Sequence, residues 1–255
     1  MIFFYLFIFF ILGLSLGSFV YCLVFRLHHG LNLWRPSFCP HCQYSLSWYD
    51  NIPLLSFLFL RGRCRKCRAK IGVAHFLVEL IFGLLFVAYF YFSLVSAWSW
   101  WQLAVGFLAL VLWLLVLLSD YYFLEIYLPP LIIGAAVILI LQLLAGVSPW
   151  SLLLSVFIGA GFFALQYLLT RGRGIGSGDI WLGGLMGLVF PSWPLLLVAI
   201  FVSYIIGTMV SLILLAGRRK NLKSRLPLGV FLALGSLVAL FAGSWLLSWY
   251  LGFLG

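Results

Sequence analysis

A chain of 255 residues that is 65% hydrophobic, 19% aromatic and only 8% charged excludes a water-soluble globule, in which about a quarter of residues are charged. Fifteen Lys and Arg against five Asp and Glu leave a formal charge of +10, yet every basic residue lies within 26–70, 171–173 or 218–225. Cations gathered into short interruptions of an apolar chain mark loop topology and not a nucleic-acid-binding face.

Crossing a hydrocarbon core about 30 Å thick takes ~20 helical residues. In chain order, apolar runs cover 1–25, 74–94, 99–119, 128–147, 150–170, 179–191, 194–216 and 227–251. The expected fold is an all-α polytopic membrane protein of about eight transmembrane helices, with one small cytoplasmic loop. Its expected divisions are 1–25, the first transmembrane helix; 26–73, the loop; and 74–255, the remaining membrane domain. The run at 179–191 is short. Its length predicts that the glycines before it, or the turn Phe190-Pro-Ser-Trp-Pro194 after it, sit partly inside the membrane, where such backbone needs protein or a wet cavity around it.

If the first helix runs outside to inside, these crossings put all the basic segments on one face, the positive-inside signature of the cytoplasm. The N-terminus is then outside. The first run lacks a basic leader region and a small-residue cleavage site, so it reads as a retained helix and not as a signal peptide.

The loop holds Cys39-Pro-His-Cys42 and Cys64-Arg-Lys-Cys67, two CxxC pairs separated by 21 residues. That spacing matches a four-thiolate zinc site of ribbon type, in which two tight knuckles complete a tetrahedron. Reduced cytoplasmic thiols favour a metal over disulfides. Cys22 reads as a small buried hydrophobe, and His28, His29, His41 and His75 as loop or interface residues without a second ligand at suitable spacing.

Five acidic residues among 255 cannot be casual. Asp50 lies in the loop and Glu79 inside the second run, whereas Asp120 ends the third, in VLLSDYYFLEIYLPP, and Asp179 opens the sixth behind GIGSG. Ionisable groups at membrane depth are costly and point to function. Helices that close could bring Asp120 and Asp179 together as a proton-sharing pair, one acid and one base, able to activate water at the wet rim of the membrane. Gly174, Gly176 and Gly178 would let the backbone strain and a substrate approach. Two readings compete. Asp179 could be an N-terminal helix cap, and Glu125 could partner the site, although five residues along a helix would turn it from the Asp120 face. A transporter with gating carboxylates would need polar residues along a membrane path, and the later runs carry almost none.

With these residues assembled, the chain resembles the type IV prepilin peptidases, bifunctional leader peptidases and N-methyltransferases of the bacterial inner membrane. The likeness is carried by GSFVYCLVFRL (17–27), the cysteine segment 39–72, LVELIFGLLF (77–86) and GIGSGDIWLGGLMG (174–187). It departs from the family in having Tyr21 where Asn is common, Trp181 where Lys is common, and Leu128-Pro129 two residues later than usual after the first aspartate. The resemblance implies catalytic aspartates at Asp120 and Asp179 in a GxGD-type aspartyl protease, shared in its short signature with presenilin. It implies cleavage of prepilins or pseudopilins, for pili, secretion or competence, after the glycine of a short basic leader at the cytoplasmic face. It also implies methylation of the new N-terminal residue by S-adenosylmethionine. Glu79 is the acid left without a proteolytic role: it is either the candidate for the methyl-transfer site or a group satisfied by a neighbouring helix or loop base. A leader peptidase without methylation is the alternative. Membrane lipid is an expected partner and nucleic acid is not.

Overall fold

The computed structural model describes residues 1–96, 98–217 and 226–254. The basic segment 218–225 lies outside the described residues. Nine α-helices follow in order among them: α1 Ile2–His28, α2 Leu55–Phe59, α3 Val73–Val95, α4 Trp100–Phe123, α5 Leu128–Leu144, α6 Pro149–Thr170, α7 Ser177–Val189, α8 Trp193–Ala216 and α9 Leu228–Leu254. A single 3-10 turn, Trp48–Asn51, precedes α2, and no strand occurs among the described residues. Each of the apolar runs is helical. Six of the helices, α1, α3, α4, α6, α8 and α9, are long and apolar enough to cross a membrane, while α5 spans 17 residues and α7 only 13.

Local chemistry sets the helix ends. Pro129 and Pro130, Pro149 and Pro194 stand in the first turns of α5, α6 and α8, where a missing N–H costs nothing and the fixed φ suits a helix. At α4, Ser99 and Gln102 cap each other's amides, a reciprocal box.

The chain divides into two compact units, Met1–Ala97 and Trp98–Gly255. In the first, α1 packs along α3, so the second long helix belongs with the cysteine loop. Gly13 of α1 meets Gly83 and Phe82 of α3 so closely that a Cβ there would stand 2.8 Å from backbone atoms. Small residues four apart, Gly13 and Gly17, let helix backbones approach where lipid offers no hydrophobic drive for association.

In the second unit α4 is the central helix, with Ala109, Leu110, Trp113 and Val116 fully buried. It packs against α5, α7 and α9, while α6 pairs with α7 and α8 with α9. Gly159 of α6 and Gly183 of α7 meet backbone to backbone, leaving no room for a Cβ on either. That contact seats the short helix α7 against a long one and thereby sets where α7 begins.

Candidate active site and metal centre

In the first unit the four cysteines converge. The Sγ atoms of Cys39, Cys42, Cys64 and Cys67 all lie within 4.8 Å of one another, with Cys39 to Cys67 at 3.8 Å and Cys42 to Cys64 at 3.9 Å. A tetrahedral ion with ligands at about 2.3 Å needs sulfur atoms roughly 3.8 Å apart, so the quartet fits such an ion. Both halves use one backbone design. Cys39 N–H donates to Tyr44 O and Gln43 N–H to Cys39 O, while Cys64 N–H donates to Ala69 O and Arg68 N–H to Cys64 O. Gln43 and Arg68 take left-handed φ of 57° and 59° to close these turns. Backbone amides of Cys67 and Lys66 face the Cys64 sulfur and lower its pKa to about 7, while burial and the neighbouring sulfurs push Cys67 up to about 11.

Two acids hold the loop in place. Asp50, with its side chain 1% exposed, accepts Arg65 Nε and Nη2 at 2.9 and 2.8 Å, and this pairing keeps the Arg65 guanidinium firmly charged. Glu79 of α3 is buried and accepts the Leu54 amide at 2.9 Å. Its other oxygen lies 3.4 Å from His75 Nε2, which is also 3.4 Å from Ser18 Oγ of α1.

In the second unit, α4, α7 and α9 pack pairwise on one another, and both Asp120 and Asp179 are buried there. Asp120 stands one turn before the end of α4 and accepts the Val230 amide of α9 at 3.1 Å. Asp179 is the third residue of α7, and its Oδ2 accepts the Gly176 amide at 2.9 Å. The two aspartates are thus carried by helices that pack on one another, each with its carboxylate buried. The cap reading of Asp179 therefore describes a real contact.

Three sequence expectations change in detail. Helix α4 ends at Phe123, with Leu124 left-handed at φ 54°, so Glu125 lies in the connection to α5 and accepts the Tyr127 hydroxyl at 2.7 Å. The helix α7 starts at Ser177, two residues before the expected run, because Asp179 reaches back to cap it. Left-handed backbone occurs at Arg171 and Gly172, φ 51° and 70°, not at Gly174, Gly176 or Gly178. Gly178 instead gives close approach, since a Cβ there would lie 2.8 Å from Ile126 Cδ1.

Sequence reasoning missed Gly229 and Val230, which meet Asp120 from α9. It also missed the Tyr204 hydroxyl of α8, which donates to Gln166 of α6 at 2.8 Å. Tyr204 also borders an open surface groove along α8 with Phe201, Ile205, Thr208 and Met209. Only the run Pro227-Leu-Gly-Val230 at a helix start could have signalled the first pair.

The family model described as the bacterial peptidase A24 N-terminal domain matches residues 11–93. Relatives named prepilin leader peptidase/N-methyltransferase are similar over most of the chain. The one from Aeromonas hydrophila is 34% identical over 86% of this chain and 76% of its own. That from Legionella pneumophila is 30% identical over 88% and 78%, and that from Bacillus subtilis 32% over 96% and 97%. No solved structure matches the chain.

Proposed function

Since the chain belongs to the prepilin leader peptidase/N-methyltransferase family, we propose that it removes the leader from prepilins or pseudopilins and methylates the new N-terminus. The reading places it in the bacterial cytoplasmic membrane. By the positive-inside rule, the loop 26–70 and the connection 171–173 face the cytoplasm, and the N-terminus of α1 lies outside. The site opens there to the short basic leader of the precursor.

One observation carries the peptidase half: Asp120 and Asp179, from helices far apart in sequence that pack on one another, are both buried. One ionised carboxylate takes a proton from water, whose oxygen attacks the carbonyl carbon of the leader glycine. The protonated carboxyl of the pair donates its proton to the departing amine nitrogen as the C–N bond breaks. The products are the leader carboxylate and a free N-terminal amine, with the pair's proton restored.

The four sulfurs would hold a structural zinc ion, which ties the two knuckles of a loop too small to hold itself folded. No step of the chemistry passes through it. Methyl transfer from S-adenosylmethionine, as co-substrate, makes an N–C bond as the S–C bond breaks. The support for this half is the relatives' names. Glu79 remains our candidate for receiving the donor's positive charge or the nascent amine, beside its bonds to Leu54 and His75.

The test is incubation of the purified protein with a candidate prepilin and labelled S-adenosylmethionine, followed by the mass of the product's N-terminus. A cleaved and methylated product is expected. A cleaved product without the label would leave a leader peptidase alone, and an uncut precursor would refute the proposal.

A further inference from the structure

The last residue of α4 to be fully engaged in the second unit is Asp120, and what engages it is the start of another helix. A carboxylate in the last turn of its own helix faces carbonyl oxygens and the negative end of that helix. There α4 supplies no amide to Asp120, yet the group is buried. The first turn of α9 supplies what is missing. The Val230 N–H donates to Asp120 Oδ2 at 3.1 Å, and Gly229 packs against the same carboxylate. First-turn amides have no partner within their own helix, and a helix N-terminus favours an anion. The fit depends on glycine: a Cβ at Gly229 would stand 2.8 Å from Asp120 Oδ2 and 3.2 Å from Val116 Cγ1. The nearest atom is the mobile end of the Asp120 side chain, so a methyl group there displaces the carboxylate before it disturbs the fold.

We propose that Gly229 and Val230 are positioning residues for Asp120, the first turn of α9 holding its carboxylate in place and favouring its charged form. This rests on the peptidase reading above. Other titratable groups on the surrounding elements are Asp179 of α7, Tyr121 and Tyr122 of α4, Glu125 and Tyr127 of the α4–α5 connection, Tyr167 of α6, Arg171 and Arg173 of the α6–α7 connection, and Tyr204 of α8. Helix α5 brings none, and nor does the first turn of α9.

The experiment measures prepilin cleavage against pH for the wild type, Gly229→Ala and Val230→Pro in detergent or liposomes. Proline at the third position of a helix removes the N–H donor without breaking the helix. Loss of the donors makes the charged form of the pair harder to reach from the acid side. A hydrogen bond to a charged group corresponds to roughly one pH unit or more. Both variants should therefore lose at least about tenfold in kcat with KM nearly unchanged, and their acidic limb should move up by about one unit. The alkaline limb, set by the second ionisation, should stay. Gly243→Ala, whose Cβ would make only ordinary contacts at 3.5 Å, should match the wild type. If Gly229→Ala alone fails to fold, Val116→Ala is added to relieve its second contact. Wild-type pH profiles in both variants, or losses carried by KM alone, overturn the proposal, whereas a wild type that leaves prepilin uncut refutes the peptidase reading itself.

Discussion

Glu79 accepts the amide of Leu54 at 2.9 Å, so that a buried acid of α3 holds a loop residue whose φ is 58°. A non-glycine residue in left-handed backbone persists only when its surroundings hold it there. Glu79→Ala should strand the Leu54 N–H and destabilise the loop by about 1–3 kcal/mol, seen as a lower melting temperature and easier metal loss. Glu79→Gln keeps an acceptor. If the negative charge serves methyl transfer, Glu79→Gln keeps the melting temperature and cleavage while losing methylation. Normal methylation of a pre-cut Phe peptide by Glu79→Gln would leave Glu79 with its tethering role alone.

Asp120→Asn and Asp179→Asn should each lower cleavage by at least about 10²–10⁴-fold, the range of acid–base catalysis. Each asparagine retains an oxygen to accept the amide of Val230 or Gly176, so the proteins should still insert and should methylate a peptide that already has a free N-terminal Phe. Cleavage assays on both variants decide this. A dead Glu125→Gln beside an active Asp120→Asn would move the role to Glu125.

Metal analysis of protein purified under reducing conditions should find about one zinc ion per chain, as four thiolates at tetrahedral spacing predict. Cys39→Ser or Cys64→Ser should abolish it and expose the loop 26–73 to proteolysis, because binding and folding of such loops are coupled. Full metal occupancy in either variant would disprove the four-sulfur site.

The backbone contact between Gly159 and Gly183 leaves no space for a methyl group. Gly159→Ala should cost about 1–3 kcal/mol by overpacking and shift α7, lowering cleavage as Asp179 moves with it. Gly161→Ala, on the same helix with nothing within 4 Å of its Cβ, should be neutral. Thermal unfolding in detergent, with cleavage rates measured alongside, compares the two.

The sequence alone determined the all-helical membrane class, the ends of the eight apolar helices to within a few residues though not the short helix α2 within the loop, and the gathering of the four cysteines. The reason is local in each case. A bilayer leaves a spanning chain few backbone options, prolines and capping serines act within one turn, and a CxxC knuckle closes over a few residues. Small residues four apart, in Gly13-Leu-Ser-Leu-Gly17 and at Gly183 and Gly187, were a legible packing signal that hydropathy alone passes over. What surrounds each acid was decided only by tertiary structure. Val230 reaches Asp120 across 110 positions, and Leu54 reaches Glu79 across 25. Helices that are apolar all round carry no stripe to say which neighbour they meet. Partners are chosen by the fit of small residues and close backbones, a property of paired surfaces that no single stretch of sequence contains.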